Sequence, residues 1–352
     1  MAYSSILKPT DYFNTVLYTG NGSARTISGV GFQPDWVWVK DRTTTNYHYL
    51  YDSVRGNNLN LFSNDTSAEV NVTTGQNGGG IGSQASDGFT IVAGNINTNN
   101  VNTSSNTYVS WNWKAGTAWS NDASATGIGT LDSSGSVNTD AGFSIISFTG
   151  TETSSQSVAH GLGAVPELII SKSRDVADNW MVHHGSFSEN DYISLNLTNA
   201  KASASSVWSS LPTSTVINIG DNAGVNDDGA MIMYAFRSVQ GYSKFGSYTG
   251  NGNADGTFVY LGFKPAFVMC KISSGSDNWN MVDNKRATYN EAENTMRANL
   301  SNAEYTGTAY GIDILSNGFK CRTTDGNFNG SGSTYIYMAF AEQPFVASNF
   351  NA

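Results

Sequence analysis

Residues 29–42 read GVGFQPDWVWVKDR, and the same pattern returns at 159–175 as AHGLGAVPELIISKSRD and at 260–275 as YLGFKPAFVMCKISSG. Each copy has a glycine, an apolar residue, a proline (Pro34, Pro166 or Pro265) and then an apolar run that closes on lysine. Proline is tolerated here because the strand has not yet begun its ladder. The recurrence predicts a threefold internal repeat. Features shared by all copies then indicate the fold, and features of one copy are candidates for function.

The flanks of this stretch repeat as well. The first predicted strand reads FNTVLYTG, FSIISFTG or SKFGSYTG, and the last reads YVSWNWK, MIMYAFR or YIYMAFA, with Trp111, Tyr234 and Met338 in one position. Each copy predicts about seven or eight short strands in roughly 100 residues, separated by Gly, Asn, Asp and Ser. We therefore predict an all-β chain of three tandem antiparallel β-sandwich domains of jelly-roll-like type, each with its own core.

The repeat boundaries divide the chain into six predicted segments. Ser, Gly, Thr and Asn dominate the segment between copies one and two, which predicts a loose linker; the second junction, Arg237–Gly241, is short and predicted to be stiff. The N-terminal arm is expected to dock on a neighbouring chain. The segments are an arm (1–10), repeat 1 (11–116), a linker (117–139), repeat 2 (140–239), repeat 3 (240–347) and a tail (348–352).

Composition excludes several classes of partner. Charged residues make up 13% of the 352 residues, and the net charge is −10. Binding to a nucleic-acid backbone needs clustered Lys and Arg, and anionic membranes attract basic segments. No signal peptide and no apolar stretch of about 18 residues is visible, so no membrane insertion is expected.

The residue patterns predict no catalytic residue, no metal ligand and no cofactor. His183 and His184 are adjacent in a predicted strand and so point to opposite faces, which makes them poor joint metal ligands. The acidic loop Asp221–Asp228 lacks the EF-hand spacing, and we favour a solvated turn over a calcium site. Cys270 and Cys321 form no disulfide framework, although pairing between them stays open.

Aromatic residues outside the repeated strands are the candidates for ligand binding. Sugars stack on exposed aromatic rings flanked by Asn and Asp, and this composition supplies both. The competing interpretation is that a loop aromatic covers the open end of a sandwich. The candidate glycan contacts are Trp119, Trp208, Tyr305 and Tyr310.

Taken together, the motifs KPTDYFNTVLYTGNG, GVGFQPDWVWVKDR, SDGFTIV, TYVSWNWKAG and HGLGAVPELIISKSRD resemble a repeat found in virion proteins of tailed, mainly marine, bacteriophages. The resemblance spans nearly the whole chain. It implies a tail-fibre-like virion component, made in the host cytoplasm and often homo-oligomeric, and it transfers no catalytic residue. A trimer is expected by analogy with fibres.

The leading hypothesis is therefore a non-enzymatic virion structural protein. It would attach to other virion proteins through the arm and contact host cell-surface glycan through its outer loops. The alternatives are a capsid decoration or cement protein, a polysaccharide-degrading tail-spike and, more weakly, a free-standing lectin. A cleft with two or more carboxylates would favour the tail-spike.

Overall fold

The computed structural model describes residues 4–74, 78–93, 100–307 and 310–344. Residues 1–3 of the predicted arm and the predicted tail at 348–352 lie outside these ranges. The prediction of an all-β chain of antiparallel sandwiches is confirmed. In the described part of the chain, no helix combines the length and the apolar character that crossing a membrane requires.

Repeat 1 follows a 3-10 turn (Pro9–Asp11) and packs a six-stranded sheet against a three-stranded one. The larger sheet has the order β1-β9-β3-β4-β5-β6, and the smaller has β2-β8-β7. The strands are β1 (Phe13–Thr19), β2 (Arg25–Ser28), β3 (Trp36–Asp41), β4 (His48–Asp52), β5 (Leu59–Phe62), β6 (Val70–Asn71), β7 (Gly80–Ala85), β8 (Gly88–Val92) and β9 (Thr107–Trp113).

The segment predicted as a linker is folded. It contains β10 (Thr117–Asn121), α1 (Ala123–Thr126) and β11 (Ser133–Asn138). Strands β10 and β11 form an antiparallel hairpin, and β11 pairs with the first strand of repeat 2. The prediction of a loose linker was wrong, because backbone pairing outweighs the turn-rich composition.

Repeat 2 keeps the plan of repeat 1. Its own strands in the large sheet have the order β12-β19-β14-β15-β16-β17, which the hairpin extends beyond β12, and β13 pairs with β18. The elements are β12 (Phe143–Thr149), β13 (Gln156–Ala159), β14 (Leu168–Ser173), β15 (Met181–His184), β16 (Asp191–Ser194), β17 (Ala202–Ser203), β18 (Val216–Ile219), α2 (Ala223–Asn226) and β19 (Ala230–Phe236).

Repeat 3 has the sheets β20-β27-β22-β23-β24 and β21-β26-β25. Its strands are β20 (Ser243–Thr249), β21 (Phe258–Tyr260), β22 (Phe263–Ile272), β23 (Asn280–Asp283), β24 (Met296–Arg297), β25 (Ile312–Leu315), β26 (Gly318–Cys321) and β27 (Thr334–Pro344).

The repeated strand is buried on both faces. In β3, Val37 and Val39 face the smaller sheet of the same repeat and belong to its own core. Trp36 and Trp38 alternate with them and point the other way. A strand buried on both faces reads as a continuous apolar run rather than an alternating one, which accounts for the sequence WVWV.

The outer faces of the three large sheets meet in one shared core. Trp36, Leu168 and Phe267 hold the same position in their strands, and all three belong to this core. The ring of Trp36 stacks on that of Tyr234 from repeat 2 with centroids 4.5 Å apart. The three sandwiches therefore fold as one body around a common centre.

Contacts between the repeats close a ring. The indole Nε1 of Trp180 in repeat 2 donates to the carbonyl of Phe62 in repeat 1 at 2.9 Å. Trp279 of repeat 3 donates in the same way to Ser194 of repeat 2. His48 occupies the same position in repeat 1, since its backbone N–H bonds an asparagine side chain as those of Trp180 and Trp279 do. Repeats 1 and 3 meet through a different bond, in which the Ser63 hydroxyl donates to the Ala298 carbonyl at 2.7 Å.

The lysine that closes each repeated apolar run is not at the surface. Lys40, Lys172 and Lys271 are all fully buried. Each ammonium donates to the carbonyl of the next residue and to that of the fourth residue along, and so fastens the turn after the strand. Burial lowers the pKa of all three lysines to about 8.

The described part of the arm packs on its own chain. Ile6 is 2% exposed and lies in the shared core, and Pro9 is buried as well. A side chain at Gly241 would clash with Ser4. Leu7 is the outward apolar residue here, at 76% exposed. Residues 4–10 are therefore part of the fold, and only their outer side is free for another chain.

Candidate functional site at the inserted hairpin

A groove lies beside the hairpin β10–β11, in the segment that the repeats do not share. The hairpin pairs with β12, whereas the equivalent edge strands β1 and β20 have no outer neighbour among the described strands. One amide on each of those strands is occupied by a side chain instead: Asn14 accepts a hydrogen bond from the Thr15 amide, and Ser238 accepts one from the Phe245 amide.

The groove between the hairpin and repeat 1 has a volume of about 650 Å³. This size suits a small organic ligand or a few sugar units. Its lining is mixed, with amide, hydroxyl, carboxylate, ammonium and indole groups. The residues that bear these groups include Gln33, Asp35, Gln84, Lys114, Trp119 and Ser136.

Asp35 is fixed in the wall of the groove. Its carboxylate accepts hydrogen bonds from the Ser53 hydroxyl at 2.8 Å and from the backbone N–H of Ala115 at 2.9 Å. Burial raises the pKa of Asp35 above its ordinary value, and these two hydrogen bonds and nearby Lys114 oppose the rise. Asp35 is thus a positioned acceptor that does not move freely.

Trp119 lies close to two glycines. The indole passes so close to Gly135 and Gly161 that an added Cβ would stand 3.2 and 3.1 Å from its atoms. Gly161 also has a φ of +72°, which side-chain-bearing residues rarely adopt. Trp119 lines a second cavity of about 260 Å³ together with Ile128. The indole therefore borders two cavities.

Two polar atoms at the groove lack partners. The indole Nε1 of Trp119 and the side-chain Oε1 of Gln84 are buried and make no hydrogen bond within the described structure. An unsatisfied buried polar atom costs roughly 1–3 kcal/mol. One is a donor and the other an acceptor, and both are buried in the wall of the groove rather than exposed in it.

Lys114 joins the groove to a neighbouring cavity of about 430 Å³, which Asp140 and Tyr12 also line. Its ammonium lies 6.0 Å from the ring centroid of Tyr12. The groove is therefore continued at this end rather than closed.

The other predicted ligand contacts lie elsewhere. Trp208 is 2% exposed and packs in the core of repeat 2, so its prediction as a sugar contact was wrong. Tyr305 and Tyr310 do come together, with ring centroids 5.2 Å apart. Both rings flank the guanidinium of Arg297, at 4.8 and 5.2 Å. This cluster belongs to repeat 3 and adds nothing to the groove.

The histidines are structural. His183 faces the core of repeat 2, with its ring centroid 6.0 Å from that of Trp208. His184 points to the opposite side, and its Nε2 stands 3.3 Å from the carbonyl oxygen of Tyr337. Burial lowers the pKa of both to about 4. Within the described residues, no three His, Cys, Asp or Glu side chains converge as a metal site would require.

The acidic loop of repeat 2 is a capped turn. Asn222 caps the short helix α2, and the buried Asn226 donates to the carbonyls of Thr153 and Gly220. Asn102 and Asn329 serve the equivalent turns in the other repeats. This loop is therefore fold rather than site.

Cys270 and Cys321 are free and buried in the core of repeat 3. Burial raises the pKa of both thiols, that of Cys321 to about 12. The thiolate, which is the reactive form of cysteine, is therefore scarce at neutral pH.

Sequence reasoning missed Asp35, Gln84 and Lys114. A weak signal existed, because the residue after each repeated proline is Asp35, Glu167 or Ala266. An acidic residue at the start of a buried strand is unusual, yet its meaning depends on the hairpin beside it. Only Trp119 was selected from sequence.

A family model that is described as a domain of unknown function (DUF7483) matches residues 8–344. The chain belongs to this family. No curated protein and no solved structure matches the chain. The family match covers all three repeats rather than one sandwich.

Proposed function

We propose that this DUF7483 chain is a non-enzymatic structural protein of a tailed-phage virion that binds host-surface glycan in the groove beside the hairpin. The observation that carries the glycan part is the groove itself. It occurs where the repeat is interrupted, and its lining includes the indole of Trp119 and the amide of Gln84, each with a buried polar atom that has no hydrogen-bond partner. The virion part rests on the resemblance of the repeated motifs to phage virion proteins.

The lining suits a carbohydrate better than an apolar ligand. Sugars offer hydroxyl groups at their ring edges and apolar C–H groups on their faces. The groove supplies amides and hydroxyls from Gln33, Gln84 and Ser136, and an indole from Trp119. Few charged groups take part, in keeping with a neutral or weakly charged polymer.

The carboxylates support binding rather than hydrolysis. Among the described residues that line the groove, Asp35 is the single acidic one. Glycoside hydrolysis by the usual routes needs two carboxyl groups roughly 5–10 Å apart across the bond. Both carboxylate oxygens of Asp35 are also engaged by Ser53 and Ala115. This arrangement favours a binding protein over a polysaccharide-degrading tail-spike.

Attachment to other virion proteins through the arm remains part of the proposal, with the exposed Leu7 as its outward apolar contact. A homotrimer is retained only as an expectation from fibres. The closed ring already places three related sandwiches around one centre within a single chain, so a threefold arrangement of sandwiches does not require a homotrimer.

The glycan part is tested by affinity electrophoresis of the purified chain through gels that contain polysaccharide from host cells. Retardation is expected for the wild type and reduced for Trp119→Ala. The matched control is Tyr289→Ala, since Tyr289 is 85% exposed and is not a groove residue. Equal retardation of wild type and Trp119→Ala, or release of reducing sugar by the wild type, would contradict the proposal.

The location is tested separately, by immunogold labelling of virions and mass spectrometry of tail-less heads. Label at the tail tip, with the chain absent from heads, is expected. Recovery of the chain from tail-less heads would instead identify a capsid decoration protein.

A further inference from the structure

Repeat 3 carries two exposed aromatic side chains that the other repeats lack. Phe258 and Tyr260 are 43% and 51% exposed, and Val259 between them is buried. The pairing of β21 with β26 equates them with Thr26 and Ser28 of repeat 1 and with Ser157 and Ala159 of repeat 2. The fold therefore does not require aromatic residues at these positions.

The two rings lie on one side of an edge strand. Residues two apart in a strand point the same way and are separated by about 7 Å. Among the described strands, β21 pairs only with β26, so the backbone edge of β21 that faces away from β26 has no strand neighbour. Opposite Tyr260 stands Gly318, where a Cβ would come within 2.0 Å of the Val259 carbonyl oxygen. No side chain of β26 covers Tyr260 at that position.

Tyr260 is held by a neighbouring lysine. The ammonium of Lys244 donates to the Tyr260 carbonyl at 2.7 Å and lies 5.5 Å from the ring centroid. Opposite Phe258 stands Lys320, which is paired with Asp255 at 2.5 Å. The rings therefore form a small ordered apolar surface inside a polar, charge-balanced rim.

We infer that Phe258 and Tyr260 form a second carbohydrate contact, on which the faces of successive sugar rings of an extended polysaccharide stack. This inference rests on the proposed function for its class of ligand, but not on the groove. Aromatic faces are electron-rich and attract the C–H groups on one face of a sugar ring. The rim of Lys320, Asp255 and Asp313 supplies hydrogen-bonding groups for the hydroxyls at the ring edges.

A protein partner fits this surface less well. Two aromatic side chains bury about 150–250 Å² each, whereas a stable protein interface needs roughly 800 Å² from each partner. The cross-strand neighbours Gly318, Lys320 and Asp313 do not extend the apolar area. A stacked sugar needs only one ring face per unit, so the size of the patch matches a polysaccharide.

The test uses Phe258→Thr with Tyr260→Ser, which installs the residues that repeat 1 has at these positions. Both side chains are exposed, so the double variant should unfold within a few degrees of the wild type. Its migration is compared with that of the wild type in native gels containing hydroxyethyl cellulose, laminarin or alginate. We expect the half-retarding concentration of at least one polymer to rise about tenfold, which corresponds to about 1.4 kcal/mol.

The reverse variant, Thr26→Phe with Ser28→Tyr, places the same rings on repeat 1 and should increase retardation. Equal retardation of wild type and the Phe258/Tyr260 variant would overturn the inference, as would no retardation of the wild type by any of the three polymers. A dimer of the wild type that the variant abolishes would overturn it too, since the patch would then be a protein interface. Trp119→Ala in the same gels separates the two sites. If only Trp119→Ala reduces retardation, the groove binds the polymer and the contact at Phe258 and Tyr260 is contradicted.

Discussion

The interface between repeats 1 and 2 and that between repeats 2 and 3 use equivalent positions of the fold but different side chains. At the first, the buried Asp52 accepts a hydrogen bond from Tyr234 of the next repeat at 2.6 Å. At the second, His184 holds the position of Asp52, and Met338 of repeat 3 holds that of Tyr234. Methionine has no donor, so His184 bonds the carbonyl of Tyr337 instead.

The difference continues outward from each site. Three residues after Asp52 comes Arg55, which pairs with it and with Glu69, and Glu69 also pairs with Arg174 of repeat 2. Three residues after His184 comes Phe187, whose ring packs on the imidazole at 5.8 Å. One interface is thus a buried ion network and the other is uncharged at its centre. Identical backbone contacts tolerate both, so side chains here set the response to pH rather than the fold.

The largest effect is expected from breaking the ion network. Arg55→Met removes the partner of the fully buried Asp52 and leaves its charge uncompensated. Such a change costs about 3–5 kcal/mol. Urea unfolding of the variant should show this loss in the free energy of unfolding. Asp52→His with Arg55→Phe, which copies the pair found in repeat 2, should recover part of it, and a double variant as unstable as Arg55→Met would show that the two interfaces are not interchangeable.

Acid should weaken the uncharged interface. The pKa of His184 is about 4 in the folded chain, against about 6.5 when unfolded. The folded state therefore prefers the neutral ring, and its stabilising contribution is complete above pH 6.5 and is lost as the pH falls towards 4. This loss is on the order of 3 kcal/mol. His184→Gln keeps a donor for Tyr337 and does not titrate.

The comparison is between unfolding at pH 7 and at pH 4.5 for wild type and His184→Gln. The variant should lose less stability between the two conditions. His183 also has a folded pKa of about 4, so part of the acid sensitivity should remain. If wild type and His184→Gln lose the same stability between the two pH values, His184 does not cause the acid sensitivity.

These two interfaces show where sequence reasoning reached its limit. The repeated apolar run was predicted to belong to the fold because all copies share it, and its residues Trp36, Leu168 and Phe267 are core residues. That they face a core common to three repeats was not predicted, because the run WVWV is equally expected for one strand inside a single sandwich. Strand alternation predicted that His183 and His184 point to opposite faces, but it gave no sign of the interface partner of His184, since Tyr337 is 153 residues away.

The candidate site was less predictable than the fold. The hairpin is rich in Ser, Gly and Thr, and this composition is equally typical of a linker. Within the hairpin, Trp119 was selected because it is an aromatic residue outside the repeated strands. Trp208 was selected for the same reason and is buried, since only tertiary packing decides between a core indole and an exposed one.

A smaller effect is expected at the rim of the ion network. Glu69→Gln weakens the bonds to Arg55 and Arg174 but leaves Asp52 paired with Arg55. Hydrogen bonds to charged groups contribute roughly 1.5–3 kcal/mol, so we expect about 2 kcal/mol of lost stability in urea unfolding. Glu304→Gln is the matched variant, because Glu304 bridges Arg286 and Arg42 in the same way. Unequal losses would show that the two ionic interfaces differ despite their shared geometry.

The smallest effect is expected from the residue that replaces Glu69 at the uncharged interface. Lys201 holds that position, since its backbone N–H bonds the carbonyl of Ser273 as that of Glu69 bonds the carbonyl of Arg174. Its ammonium pairs with Asp191 of its own repeat and is 40% exposed. Exposed pairs contribute about 0–1 kcal/mol, so Lys201→Met should unfold within 1 kcal/mol of the wild type and depend little on salt. If Lys201→Met loses as much stability as Glu69→Gln, the interface between repeats 2 and 3 also depends on charge. A charged residue at this position would then stabilise the chain even when its ion-pair partner lies in its own repeat.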